Sequence, residues 1–194
     1  MTGVLKAPST PETPRASRAS VPAAYRAAAR KAARVTAAAG GGFYLFLYGV
    51  DSPTAATYAL FGAVALGGLS RIPGTGRQRA AMMLRVTPWC WALITLGTFL
   101  AVRTWSAVVG MLIVGFALAF LAVCGPRPAG AAPGLQLLYI MPCFPPYDPG
   151  SLDERLGGAT VGIGLLILAE AFLFPEPPPL SYGARVAAAA GLAA

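Results

Sequence analysis

Six apolar runs, each long enough to cross most of a lipid bilayer as a helix, dominate the chain and are separated by short loops. They lie at approximately 35–50, 54–70, 88–102, 104–123, 134–147 and 156–174. Because a helix rises ~1.5 Å per residue, about 20 residues cross a ~30 Å hydrocarbon layer, and several runs need flanking residues to span it. The pattern predicts an all-α integral membrane bundle of about six transmembrane helices.

The composition agrees with this and weakens most enzyme hypotheses. Hydrophobic residues make up 56% of the chain and charged residues 11%, whereas about a quarter of a soluble domain is charged. The absence of histidine excludes His-dependent hydrolysis and typical zinc-hydroxide chemistry. Cys90, Cys124 and Cys143 lack metal or disulfide spacing and are expected to be small buried hydrophobes. Since no nucleophile has a recognisable base partner, we expect no enzyme activity, cofactor or metal.

The third and fourth runs leave two interpretations open. Only Arg103 lies between them, followed by the polar Thr104 at the start of the fourth run, so they could form a tight hairpin that does not fully cross the membrane. The positions of Trp89, Trp91 and Trp105 near the ends of these runs favour two crossings anchored at the interfaces.

The basic residues predict the orientation of the bundle. With six spans and the N-terminus inside, thirteen of the fifteen Lys and Arg residues fall inside, and only Arg103 and Arg155 fall outside. This positive-inside bias predicts cytoplasmic termini and a multi-pass protein of the cell (inner or plasma) membrane. The net charge is +8, but the basic residues lie between long apolar runs and not on a polar face interleaved with aromatic residues. The expected partner is therefore the lipid bilayer and not nucleic acid.

The chain divides into four predicted regions. These are a disordered cytoplasmic tail at 1–20, a basic juxtamembrane helix at 21–34, a six-helix transmembrane module at 35–175 and a cytoplasmic C-terminal tail at 176–194. Arg26, Arg30 and Arg34 share one face of the juxtamembrane helix, which suits either anionic headgroups or water. An Arg-rich start also fits a transit peptide, but these charges already serve as orientation signals, so we expect the segment to be retained.

The fifth run contains helix-breaking prolines. Pro142 and Pro145 lack amide donors, so the helix should kink or stop near 140–143. Together with Tyr139 these residues either shape a transport pathway or end a short helix at the outer interface.

Small residues recur in the second, fourth and sixth runs. Gly158 and Gly162 form a G-x-x-x-G pair, which predicts close helix packing, either within the chain or between copies.

Glu170 is the one carboxylate within a predicted span. A charge at bilayer depth costs roughly 3 kcal/mol on insertion scales, so such a residue pairs, faces a cavity or is protonated. Two hypotheses follow. Glu170 forms a structural ion pair with an interfacial arginine such as Arg85 or Arg127, or it couples protons to transport.

A second candidate site is the loop around Pro73-Gly74-Thr75-Gly76. Its arginines are Arg71, Arg77, Arg79 and Arg85. Amide donors and guanidinium groups both suit carboxylates and phosphates, so the loop could attract anions. The alternative is that these are topology charges on a cytoplasmic turn. The loop is not a P-loop, because that motif requires a lysine after the second glycine.

Two stretches carry a resemblance to a known family. PTAATYALFGAVALGGLSRIPGTGRQRA at 53–80 and APGLQLLYIMPCFPPY at 132–147 resemble the membrane half of the fusaric acid resistance, or aromatic acid exporter, family. The resemblance runs from about residue 32 to 175. It implies a six-helix inner-membrane module associated with proton-driven export of aromatic carboxylic acids. The second module and the cytoplasmic region of long members have no counterpart in these 194 residues.

Together these patterns and the resemblance predict a half-transporter that exports small organic acids, aromatic acids among them, as a proton-coupled homo-oligomer. In this hypothesis Glu170 couples protons, the arginine loop attracts the anion, and the Pro142 region shapes the pathway. The alternative, from a different class, is a non-transporting membrane scaffold or assembly subunit.

Overall fold

The computed structural model of the chain describes residues 20–72, 74–121, 123–144 and 147–173. These residues form six α-helices and contain no strand, which confirms the predicted all-α class. The helices are α1 (Ser20–Tyr44), α2 (Pro53–Ala63), α3 (Gly76–Leu100), α4 (Thr104–Phe120), α5 (Pro126–Ile140) and α6 (Leu152–Phe172). π-helical turns extend α1 and α2 over Leu45–Val50 and Val64–Leu69, and 3₁₀ turns occupy Met141–Cys143 and Pro149–Ser151. The predicted tails lie almost entirely outside the described residues.

Helix boundaries differ most from the sequence prediction in α1 and α3. The basic segment 21–34 is not a separate helix, because α1 runs without a break from Ser20 to Tyr44. α3 begins at Gly76 and not near residue 88, so Pro88 lies inside the helix. Thr75 starts α3 with a capping box, in which the Gln78 side chain accepts a hydrogen bond from the Thr75 amide at 3.1 Å.

α5 ends where its prolines predict. The α-helix stops at Ile140 and tightens into the 3₁₀ turn Met141–Cys143, with Pro142 buried. Its start is eight residues earlier than the predicted run, since α5 begins at Pro126 and includes Pro133. Pro126 occupies the first helical position, where a proline costs little because the first amides of a helix have no intrahelical acceptor. Pro133 lies in the interior of α5, where it cannot donate the usual intrahelical hydrogen bond.

α6 packs against α1, α2 and α3. Gly158 and Gly162 face the backbone of Ala55 and Ala59 on α2, where a Cβ on either glycine would overlap a carbonyl oxygen. The G-x-x-x-G pair therefore brings two helices of the same chain together, which is the first of the two predicted possibilities.

Two helical segments, Gly76–Leu100 and Pro149–Phe172, are long and apolar enough to cross a bilayer, judged by length and composition. Pro53–Leu69 and Thr104–Phe120 are apolar but shorter. α4 packs mainly on α3 and α5, and it leaves large side chains such as Trp105, Leu112 and Phe116 exposed.

Candidate anion-binding site

The start of α3 and the end of α6 meet in direct backbone contact. A Cβ at Gly76 would overlap the carbonyl oxygen of Glu170, so only glycine permits this approach. One turn further along α3, the Nε and Nη2 atoms of Arg79 donate to Oε2 of Glu170 at 3.0 and 2.8 Å. The local packing of the two helix ends thus positions a charge-assisted pair.

α1 supplies a second guanidinium to the same carboxylate. Nε of Arg34 lies 3.4 Å from Oε1 of Glu170, and the two side chains are only 1% and 3% exposed. Glu170 is therefore held by arginines from two helices. The ion pair predicted for Glu170 is present, but its partners are not the predicted ones. Arg85 is exposed on α3, and the side chain of Arg127 lies outside the described part of the chain.

Lys31 lies one turn before Arg34 on the same side of α1. Its Nζ is 3.5 Å from the carbonyl of Gly68 and 3.4 Å from that of Ser70, where the π-helical turn after α2 ends. Burial lowers the pKa of Lys31 below its usual value of 10.5. Glu170 opposes this shift, while Arg79, Arg71 and Arg34 add to it.

The loop after α2 is fixed in place by hydrogen bonds. The Ser70 hydroxyl donates to the carbonyl of Ala65 at 3.0 Å, and the Arg71 amide donates to the carbonyl of Gly130 on α5 at 2.8 Å. Nη1 of Arg79 also donates to the Gly74 carbonyl at 3.2 Å. The loop after α2 is therefore anchored to α2, α3 and α5.

These residues surround one cavity, which we call the basic cavity. Its volume is about 290 Å³. Its charged or hydroxyl-bearing lining residues are Lys31, Arg34, Ser70, Arg71, Arg79 and Glu170. Ala27, Ala28, Leu66, Ile72 and Met83 are among the apolar ones. With four cations and one carboxylate in the described lining, the cavity has a positive field suited to an anion.

Only part of the predicted arginine group belongs to the basic cavity. Arg71 and Arg79 line it, whereas Arg77 is exposed on the first turn of α3 and is not part of the lining. Arg85 instead borders a largely apolar cavity of about 480 Å³ between α3, α4 and α5. The predicted stripe on α1 is also divided, because Arg26 and Arg30 are exposed while Arg34 is buried.

The predicted pathway residues lie elsewhere. Tyr139 is fully buried on α5 and donates a hydrogen bond to the carbonyl of Ala107 on α4 at 3.0 Å. It lines an apolar cavity of about 400 Å³ that does not include Pro142. Pro142 packs on α3, where a Cβ at Gly97 would overlap the proline ring. Pro145 lies outside the described residues.

A buried arginine occupies the opposite end of α6 and was predicted only as a loop charge. Arg155 donates from Nε to the Ser151 hydroxyl at 2.9 Å and from Nη1 to the Thr98 hydroxyl at 3.2 Å. Its guanidinium carbon lies 5.6 Å from the centre of the Tyr58 ring. Arg155 thereby ties α6 to α2 and α3.

Sequence reasoning missed Lys31 and Arg34 as site residues. Both were assigned to the positive-inside charge of the N-terminal segment, which accounts for orientation without a site. The signal that could have marked them is their spacing of three on one helix.

Comparisons of the chain with protein-family models, curated proteins and solved structures find no match. The resemblance to the aromatic acid exporter family therefore stays a prediction.

Proposed function

We propose that the chain is a membrane-embedded half-transporter that exports small organic acids, aromatic acids among them, as a homo-oligomer. The observation that carries the proposal is the basic cavity, where four cations from α1, α3 and the loop after α2 surround a space of about 290 Å³. In this proposal the basic cavity is the cytoplasmic loading site.

Lipid as the surrounding solvent is supported by the surface of the described residues. Two helices are long and apolar enough to span, and α4 exposes Trp105, Leu112 and Phe116. A soluble monomer rarely exposes a contiguous apolar patch of this kind. In a bilayer these side chains face acyl chains at no cost.

The size and chemistry of the cavity favour a small acid. Ligand pockets usually start at about 300 Å³, so the basic cavity suits a molecule near the lower limit. Arginine and lysine would hold the acid group, and the apolar side chains of Leu66, Ile72 and Met83 would contact a compact hydrocarbon body. This combination fits a carboxylic acid such as benzoate.

Glu170 acts as the fixed counter-ion of this site in our proposal. A carboxylate already held by two arginines keeps both guanidinium groups oriented and offsets part of their burial cost. This arrangement favours the ion-pair hypothesis over proton coupling through Glu170.

A matched pair of arginine variants tests the proposal. In proteoliposomes loaded with unlabelled benzoate, we expect Arg71→Ala to reduce counterflow of labelled benzoate by about tenfold, because a charged hydrogen-bond donor at the cavity is lost. Arg77→Ala removes the same charge six residues away but outside the cavity and should transport like the wild type. Equal transport by all three proteins would reject the basic cavity as the loading site.

The second candidate is a non-transporting membrane scaffold. The exposed face of α4 favours it, because this helix packs on few others in the described bundle and could dock against another protein. Under this hypothesis the wild type shows no benzoate counterflow above empty liposomes.

A further inference from the structure

The cations of the basic cavity fall into two groups. Arg34 and Arg79 both contact the carboxylate of Glu170. Lys31 and Arg71 line the same cavity but form no ion pair with a carboxylate of the described residues. One half of the site therefore contains its own anion, and the other half has cations facing open space.

We propose that Lys31 and Arg71 form the half-site that receives the ligand's acid group, while Glu170 stays bound to Arg34 and Arg79. The ligand is a singly charged oxyanion with a compact apolar body. The inference rests on the proposed function and assigns residues within its site, of which Lys31 is new.

The coordination of Lys31 has room for a ligand. An ammonium group has three donors, and the two carbonyl oxygens of Gly68 and Ser70 lie at 3.5 and 3.4 Å, near the outer limit for hydrogen bonds. A carboxylate or phosphate oxygen in the cavity would give the ammonium a shorter, charge-assisted bond. Such an anion would also offset the repulsion among the cations around Lys31.

Displacement of Glu170 by the ligand is the less favourable arrangement. Separating a buried ion pair leaves its charges uncompensated in a medium of low dielectric constant. Lys31 and Arg71 can accept the ligand without breaking that pair. The four cations of the basic cavity can balance the charge of Glu170 and of a bound carboxylate at the same time. Binding therefore does not require Glu170 to take up a proton.

Binding should then depend on pH through Lys31. The charged groups that face it are Arg34 from its own helix, Arg71 from the loop, Arg79 from α3 and Glu170 from α6. Its pKa is lowered in the empty site, and a bound anion raises the pKa again. Over the pH range in which the ligand is ionised, affinity should therefore be constant below the pKa of Lys31 in the empty site and fall as the pH rises through it, starting below the range of an ordinary lysine.

The test measures benzoate binding by calorimetry to full-length protein in phosphatidylcholine nanodiscs. We expect Lys31→Met to weaken binding about tenfold. The fold should tolerate this change, because burial already disfavours the charged ammonium. Lys31→Arg should still bind and lose the alkaline decrease in affinity, since arginine does not titrate in this range. Arg30→Met, which removes an exposed neighbouring charge, should bind like the wild type.

Two results would overturn the inference while leaving the proposed function intact. One is a Lys31→Met variant that binds benzoate as tightly as the wild type. The other is a Lys31→Arg variant whose affinity still falls as the pH rises. A parallel series in nanodiscs containing phosphatidylglycerol distinguishes the source of the anion. Competition between this lipid and benzoate that disappears in Lys31→Met would support the half-site and assign it to a lipid headgroup. Lys31-dependent binding without counterflow would reject transport and retain the half-site.

Discussion

The carboxylate of Glu170 shows how a single charge can stabilise an apolar bundle. Its oxygens contact Arg79 on α3 and Arg34 on α1, so the ion pairs connect three helices at one end of the fold. Removing one partner of a buried pair is far more costly than never having had the pair, because the remaining charge stays buried. We therefore expect the pair to favour the contact between these helix ends.

Replacing the carboxylate with an amide should destabilise the protein. We expect Glu170→Gln to lower the free energy of unfolding by roughly 3–5 kcal/mol, the usual cost of breaking a buried ion pair. The loss of stability should lie at the lower end of this range, because Arg79 is 17% exposed and water partly solvates its charge. Denaturant-induced unfolding in detergent measures the change.

Asp153→Asn is the control for this experiment. It also converts a carboxylate to an amide on α6, but Asp153 is exposed in the first turn. Its loss should cost less than about 1 kcal/mol, the typical value of a charge at a helix N-terminus. If both variants unfold at the same denaturant concentration, the pair does not hold the helix ends together.

Among the elements, the contact between α2 and α6 depends on the absence of side-chain atoms. Gly162 lies directly against the backbone of Ala59, and Gly158 lies against that of Ala55. Where helices associate without a hydrophobic driving force, such close approach provides van der Waals contact along the interface. The same approach fixes the position of α6, which carries Glu170 at its far end.

Two glycine-to-alanine changes on α6 should have opposite effects. In Gly162→Ala the added methyl overlaps the Ala59 backbone, so we expect a loss of about 1–3 kcal/mol from overpacking. In Gly164→Ala the methyl enters open space, and the higher helix propensity of alanine should add up to about 1 kcal/mol. Thermal unfolding of the two variants checks this. Similar melting temperatures would mean that the helices separate easily and that the contact is not tight.

The pattern of the sequence predicted the elements better than the site. Apolar runs indicated six helices because their length and the loops between them can be read without tertiary information. The predicted start of α3 was wrong because Arg77, Gln78 and Arg79 are polar and interrupt no apolar run. Only the contact between the start of α3 and the end of α6 shows why these residues belong to a helix. The partners of Glu170 could not be chosen from the sequence, since several arginines fall within reach of any cytoplasmic boundary and the choice depends on packing at Gly76.

For the molecule as a whole, the basic cavity distinguishes one end of the bundle from the other. The basic cavity, the loop after α2 and the end of α6 lie together at one end. Asp148 precedes α6 and so lies at the opposite end, because the 21 residues of α6 extend over ~32 Å. The proposed orientation places the basic cavity in the cytoplasm, where the acid to be exported is present.

Cysteine labelling in cells should distinguish these two ends. In a chain with Cys90, Cys124 and Cys143 replaced by alanine, we expect Asp148→Cys to react with a membrane-impermeant maleimide in intact cells. Arg77→Cys should react only after permeabilisation, because the bilayer shields the cytoplasmic end. Both positions are exposed in the structure, so a difference in reactivity reports membrane sidedness and not burial.

The unsubstituted cysteine-free chain provides the background for this labelling, and mass spectrometry measures the extent of reaction. The reverse labelling pattern would place the basic cavity outside the cell, where it could not load an acid for export. Recovery of the chain in the supernatant after detergent-free lysis and high-speed centrifugation would contradict the membrane assignment itself. The exposed side chains of α4 would then need a protein partner, because water solvates a contiguous apolar face poorly.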